Sequence, residues 1–263
     1  MKVISVSNQK GGVGKTTTAV TSAGIFAKRN RRVLLVDIDP QGSSSVWLGS
    51  ELGRGDQGVM QLFSGDRLPS KHHISIHRNV VPNLSILSAS AALGSLDRKA
   101  SSIQGMGLRL KEFFATVADD YDVVIVDTPP AQGVLLINAL ACSDLIIVPV
   151  QAEHLAINGL DQMVRLLDRV SQSLKCTLNT WVVPTMVDKR THACKQALLD
   201  IRTGYRELVW SGYVPIDTQL REATRSGLPP SWFNGSARAV MVYESLVDDI
   251  EQFLVIAGAD VVH

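Results

Sequence analysis

Short apolar runs alternate with longer stretches in which apolar residues recur every three or four positions, from residue 3 to about residue 257. VISVS (3–7), RRVLLVDID (31–39), LSILS (84–88), DVVIVD (122–127), DLIIVPV (144–150) and TLNTWVVPT (177–185) read as strands. Several carry Val and Ile on both alternating faces, the pattern of strands buried on two sides. Helices are expected at Thr16 to about Arg29, 102–118, 155–173, 191–203 and 236–257. In 155–173 the apolar positions Leu155, Leu160, Met163, Val164, Leu166, Leu167 and Val170 supply a helical apolar face. A further strand is expected near 208–215, and the Gly- and Ser-rich 42–58 reads as loop or short helix. Strand and helix in alternation predict an α/β fold: a single doubly wound, mostly parallel sheet with helices on both faces. No linker divides the chain, so one domain over 1–263 is expected.

Composition narrows the class without naming it. The chain is 45% hydrophobic and 19% charged, with a net charge of +1. It has no apolar run long enough to span a bilayer and no secretory leader, which together lead to the expectation of a cytoplasmic protein. Cys142, Cys176 and Cys194 lack the spacing of a metal site and read as core residues or free thiols.

The chemistry concentrates between the first strand and first helix, in SNQKGGVGKTT (7–17). A glycine-rich turn there points backbone N–H groups inward, and the helix N-terminus adds positive potential, so the place suits phosphate. Lys15 can reach the β and γ phosphates, and the Thr16 hydroxyl can ligate Mg²⁺. The loop departs from G-x-x-x-x-G-K-[ST]: Gln9 stands where the first glycine belongs, and a second lysine, Lys10, follows it. Two further places carry carboxylates at strand ends, Asp37 and Asp39 in VDIDPQG and Asp127 in VVIVDTPP. Ligands of parallel α/β sheets bind outside these ends, where an aspartate can hold Mg²⁺. A lone strand-ending aspartate is more often a turn or cap residue; three beside a phosphate loop favour function.

KGGVGKTT with its early lysine, DIDPQG, VVIVDTPP and IIVPVQAEHLAINGL, in this order, resemble the deviant Walker A ATPases of the ParA/Soj partition type. The wider class includes MinD and the nitrogenase iron protein. The resemblance runs from residue 1 to about 250 and implies a slow, partner-stimulated ATPase that forms an ATP-sandwich homodimer. It implies that Lys10 reaches the partner's nucleotide, and that Gly11, Gly12, Val13, Gly14, Lys15, Thr16 and Thr17 hold phosphate and Mg²⁺. Asp39 would position the attacking water, and Asp127 would be the Walker B acid; with Thr16, both are candidate Mg²⁺ groups. Adenine would lie near Thr185, Met186 and Pro215.

Members of this class differ in what the dimer binds. The C-terminal stretch holds Glu244, Asp248, Asp249, Glu251 and Asp260 and no Lys or Arg after residue 238, which argues against a MinD-like anionic-membrane anchor. In 189–238, eight cations face four carboxylates, a local charge of +4 that leaves −3 for the remainder. Such clustering suits the phosphate backbone of non-specific double-stranded DNA, a reading favoured over that of a solvated face. Lys189, Arg190, Arg202, Arg206, Arg221, Arg225 and Arg238 are the candidate contacts. The family's arginine before the leucine near residue 220 is Gln219 here, with Arg221 and Arg225 close by, and DPQGN is DPQGS. The chain opens directly on its first strand, so operator recognition is not expected. The resemblance implies nucleoid association and a ParB-like activator. The alternatives are a ParA-like ATPase that positions a protein cargo, such as a carboxysome or chemoreceptor cluster, and a metabolic or membrane-associated ATPase of the class.

Overall fold

The structure is a computed structural model that describes residues 1–50, 57–65, 67–99, 106–154 and 156–259. β1 (Lys2–Val6) leads through the glycine-rich loop to α1 (Lys15–Lys28), and β2 (Val33–Asp37) leads to α2 (Ser43–Trp47). β3 (Ile76–Val81) and β4 (Leu84–Leu87) form a hairpin, followed by α3 (Leu93–Lys99), α4 (Arg109–Thr116) and β5 (Val123–Asp127). α5 (Val134–Ala141), β6 (Leu145–Gln151), α6 (Ala156–Leu174) and β7 (Thr180–Thr185) come next. The chain then runs through α7 (His192–Gly204), α8 (Gln219–Ser226), α9 (Pro230–Phe233) and α10 (Arg238–Ala259). The seven strands lie in the order β3-β4-β2-β5-β1-β6-β7. Every neighbouring pair is parallel except β3 with β4, which a Pro82–Asn83 turn joins, Asn83 taking a φ of 66°.

The pleat sends successive residues to opposite faces, and both faces are covered. Val33 and Leu35 pack with Ile4, Ile125, α1 and α10, whereas Leu34 and Val36 pack with Val124, Val126, Phe113 and Leu135 from α4 and α5. Each such buried aliphatic side chain contributes about 1.5–3 kcal/mol, which the flat polar runs between elements cannot supply. Gly24 of α1 permits the closest approach: a Cβ there would meet the Cβ of Pro229 at 2.4 Å, and its carbonyl accepts from Trp232 Nε1 at 3.0 Å. α10 buries Ala239, Tyr243, Leu246, Val247 and Ile250 in the core shared with α1, so its apolar face is already covered by the chain's own packing. Asp248 and Glu251 on the same helix pair with Arg29 at 2.8 and 3.0 Å.

The expected strands and long helices form with boundaries shifted by a few residues. Part of the 102–118 helix, Leu155 and Asp260 lie outside the described residues. The strand expected near 208–215 does not form. That segment touches the sheet only through single bridges, Val209 to Val182 and Pro215 to Val187, because Gly212 and Pro215 interrupt an otherwise apolar run. β3, α3, α5, α8 and α9 are additions to the sequence pattern. α5, VLLINALA, is apolar nearly all round and carries little periodic signal, while β3, IHRNVV, is a half-exposed edge strand.

Candidate functional site

The sheet register brings the sequence motifs together. β5 lies between β1 and β2, and Asp127 is level with Val6 on one side and Asp37 on the other. The glycine-rich loop leaving β1 and the switch-like DIDPQG leaving β2 therefore emerge beside the same buried carboxylate. Gly12 and Gly14 take φ of 77° and 93°, which L side chains rarely adopt, so glycine is required for the turn. Gly14 caps α1 without any side-chain bond, leaving the helix N-terminus free of a competing cap. Val13 is buried and its carbonyl accepts from Thr185 Oγ1 at 2.8 Å, so Val13 holds the loop to β7. Gly11 and Gly12 are exposed, and Thr16 and Thr17 are half-buried at the helix start.

Both lysines of the loop are engaged within the chain. Lys15 is 8% exposed and donates from Nζ to the Lys10 carbonyl at 2.9 Å. Burial pulls its pKa down, and Asp127 and Asp39 push it partly back up. Lys10 Nζ pairs with Glu153 of the same chain, just after β6. Asn8 steadies the loop, donating to the Pro149 carbonyl at 2.8 Å and accepting from Lys10 N–H at 2.9 Å.

The carboxylates differ in environment. Asp37 is fully buried and accepts from Ser45 N and Oγ at 2.8 and 2.7 Å; burial, with Asp127 beside it, pushes its pKa up to about 8. Asp127 accepts from Ser44 Oγ at 2.6 Å through Oδ2; burial raises its pKa to about 6, against the pull of Ser44 and then Thr16. Thr16 is near enough to favour the ionised form, yet Asp127 Oδ1 is buried without a hydrogen-bond partner. A buried carboxylate with one oxygen lacking a partner, close to the Thr16 hydroxyl and the Lys15 ammonium, fits a divalent cation. Asp39 is half-buried, and its Oδ1 accepts from Gln41 N–H at 2.9 Å, which folds the turn into α2.

Thr185, Met186 and Pro215 come together as expected. They line a cavity of about 350 Å³ that also includes Gly14, Thr17 and Tyr243, so it opens beside the phosphate loop. Tyr243 is locked there by a 2.9 Å bond between its hydroxyl and Thr18 Oγ1. The basic candidates divide. Lys189, Arg190 and Arg238 surround Tyr213 in a surface depression of about 300 Å³, with Lys189 Nζ 4.1 Å from the ring centroid. This depression shares Pro215 and Ile216 with the cavity, and Arg221 of α8 lines the cavity itself. Arg225 is exposed on the same helix, and Arg206 is exposed beyond α7. Besides Lys189 over Tyr213, and Arg225 within 4.0 Å of Glu222, two of the seven are held by bonds within the chain. Arg190 forms a two-point pair with Asp188, both bonds at 2.8 Å, and Arg202 donates to the Ser211 carbonyl at 2.6 Å.

Sequence reading missed Ser44, Ser45, Glu153 and Tyr243. The serines had a local signal, three hydroxyls directly after DPQG. Glu153 and Tyr243 had none, because they meet the loop and α1 across 143 and 225 residues.

A phosphate loop between β1 and α1, flanked by carboxylates on two neighbouring strands, defines a phosphate-loop nucleotide-binding protein, and a family model described as an AAA domain matches residues 1–180. The sporulation initiation inhibitor protein Soj of Bacillus subtilis (strain 168) is 34% identical over 250 residues, covering 95% of this chain and 98% of Soj. Among solved structures, a cobyrinic acid a,c-diamide synthase from Mycobacterium smegmatis with a bound ATP analogue and magnesium is similar at a TM-score of 0.78 and 31% identity. It covers 96% of this chain and 95% of that one. A plasmid partition protein from Borrelia burgdorferi B31 bound to AMPPNP has a TM-score of 0.78 and 26% identity, covering 95% and 98%. The chain belongs to the Soj/ParA family of chromosome-partitioning P-loop ATPases.

Proposed function

We propose that this chain, acting as a single domain, is a DNA-partition ATPase whose ATP-bound homodimer binds non-specific double-stranded DNA and is reset when a ParB-like partner stimulates slow hydrolysis. The observation that carries the nucleotide reading is Asp127: a buried carboxylate with one oxygen lacking a hydrogen-bond partner, close to Thr16 and Lys15 and beside the uncapped start of α1. The backbone of Gly11, Gly12 and Gly14, with Lys15, Thr16 and Thr17, holds the phosphates. Thr16 and Asp127 would hold Mg²⁺, which would supply positive charge to offset that of the phosphates. Asp39 orients the attacking water from the turn after β2. Thr185, Met186 and Pro215 receive the base.

Lys10 exchanges Glu153 for the partner's phosphates when two chains close over two nucleotides. Each ATP brings about four negative charges into that interface, and a second cation per site offsets them. The DNA surface is the depression of Lys189, Arg190 and Arg238 continued by Arg221 and Arg225 of α8, with Arg206 at its margin; such a protein resides on the nucleoid. Relatives named for chromosome partitioning, at 34% and 33% identity, support this reading. The metabolic enzyme name of the Mycobacterium smegmatis neighbour favours a second reading, a synthase that uses ATP without binding DNA.

Sedimentation velocity with and without ATP–Mg²⁺ tests the dimer, with turnover measured in parallel. A monomer that becomes a dimer only with ATP–Mg²⁺, and a Lys10→Ala variant that binds ATP but stays monomeric, are expected. ATP-independent sedimentation of the unsubstituted chain contradicts the proposal.

A further inference from the structure

α2 is only five residues long, yet hydrogen bonds tie it to both sides of the site. At its start, Ser44 Oγ donates to Asp127 Oδ2 at 2.6 Å and Ser45 Oγ donates to Asp37 Oδ2 at 2.7 Å. Ser45 Oγ also accepts from Ala89 N–H at 3.0 Å, which fixes the helix against the segment after β4. At its end, Trp47 is 6% exposed, packs into the core beside α1, and donates from Nε1 to the Leu228 carbonyl at 3.0 Å. Leu228 directly follows Gly227, the residue with φ 72° that terminates α8. α8 contributes Leu220, Arg221 and Thr224 to the cavity assigned to the base. One short helix therefore bridges the carboxylate of the metal side and the helix that walls the base side.

We propose that Ser44 is a positioning residue for Asp127, and that α2, anchored by Trp47, passes the occupancy of Asp127 on to α8 and the arginines it carries. The two oxygens of Asp127 have unequal surroundings: Ser44 holds Oδ2, whereas Oδ1 is buried without a hydrogen-bond partner. The Ser44 bond is buried and short, so water does not replace it when lost, and a shift of the carboxylate moves the helix start with it. Both ends of α2 are bonded, so a helix this short moves as one body, and its far contact is the turn that sets where α8 ends. This inference rests on the assignment of Asp127 to Mg²⁺.

Hydrogen exchange of the 219–226 amides, with and without Mg²⁺ plus a non-hydrolysable ATP analogue, reads the coupling without turnover or DNA. In the unsubstituted chain, Mg²⁺–nucleotide is expected to change protection of these amides. Trp47→Phe keeps a buried aromatic side chain but removes the N–H with its five-membered ring; it should retain nucleotide affinity within about threefold and lose that change in protection. Ser44→Ala should raise the Mg²⁺ concentration for half-saturation by about tenfold or more, in the range of other lost supports of a metal ligand, with recovery in Ser44→Thr. An unaltered protection change in Trp47→Phe, or an unaltered Mg²⁺ midpoint in Ser44→Ala, overturns the inference. Should Ser44→Ala fail to fold, the Trp47→Phe arm decides. No Mg²⁺–nucleotide binding by the unsubstituted chain would instead overturn the nucleotide reading and this one together.

Discussion

The phosphate end of the molecule and its basic segment are built by different means. Around Asp127, every group is placed by the backbone of two or three contiguous stretches, and the parallel register of β1, β5 and β2 aligns them. Lys15, Asp37 and Asp127 there are buried, and their pKa values are displaced by that burial. The segment 189–238 instead collects its charges from α7, α8, the start of α10 and the irregular chain between them. Its cations are mostly exposed, and Arg190 and Arg202 are engaged by neighbours of their own chain. A local charge of +4 in sequence thus becomes a narrower patch in space. Motif chemistry survives folding intact because the backbone carries it; charge chemistry depends on which side chains the tertiary structure leaves free.

Substitutions can break this contrast or sharpen it. Lys15→Ala strikes the backbone-built end and should lower nucleotide affinity by at least about hundredfold, measured by calorimetry, because a charge-assisted phosphate contact is lost in a buried place. Asp39→Ala should keep ATP binding and lower turnover by about hundredfold, leaving the dimer to accumulate on a sizing column. At the basic end, Arg238→Glu should weaken ATP-state DNA binding by about tenfold and lower the salt slope by about 1, with nucleotide affinity unchanged. Arg221→Glu should disturb both DNA and nucleotide binding, since Arg221 also lines the cavity beside Gly14. Equal behaviour of these two arginine variants would erase the distinction between patch and cavity.

The smallest effect is on pH dependence. Burial raises the pKa of Asp37 to about 8 and that of Asp127 to about 6, whereas an unfolded aspartate releases its proton near the ordinary value of 3.8. The unfolded state therefore binds fewer protons between these limits, and stability falls as pH rises through them. The half-buried Asp120, Asp122 and Asp188 shift the opposite way, so their contribution is already complete above pH 4. The melting temperature of nucleotide-free protein should decline from pH 5 to 8; a rise over that range would contradict the buried pair.

What was legible in sequence follows the same divide. The β-strand ends, the loop and all three aspartates were readable because apolar runs and glycine spacing are local facts. Thr185, Met186 and Pro215, taken from the family resemblance, do meet in one cavity beside Gly14. The strand near 208–215 misled because an apolar run extends without pairing once Gly212 and Pro215 interrupt it. α5 hid in a uniformly apolar octet, and α8 hid in a polar segment with one buried residue, Ala223. The latch of Ser44 on Asp127 spans 83 residues and that of Trp47 on Leu228 spans 181, distances over which a periodic pattern carries no information.

Binding to random-sequence duplex DNA, measured without nucleotide, with ADP and with ATP–Mg²⁺ across a salt series, tests the partition reading most directly. The account predicts binding with ATP–Mg²⁺ alone, falling steeply with salt as phosphate contacts release counterions. Absence of binding in all three states, or equal binding in all three, would contradict it.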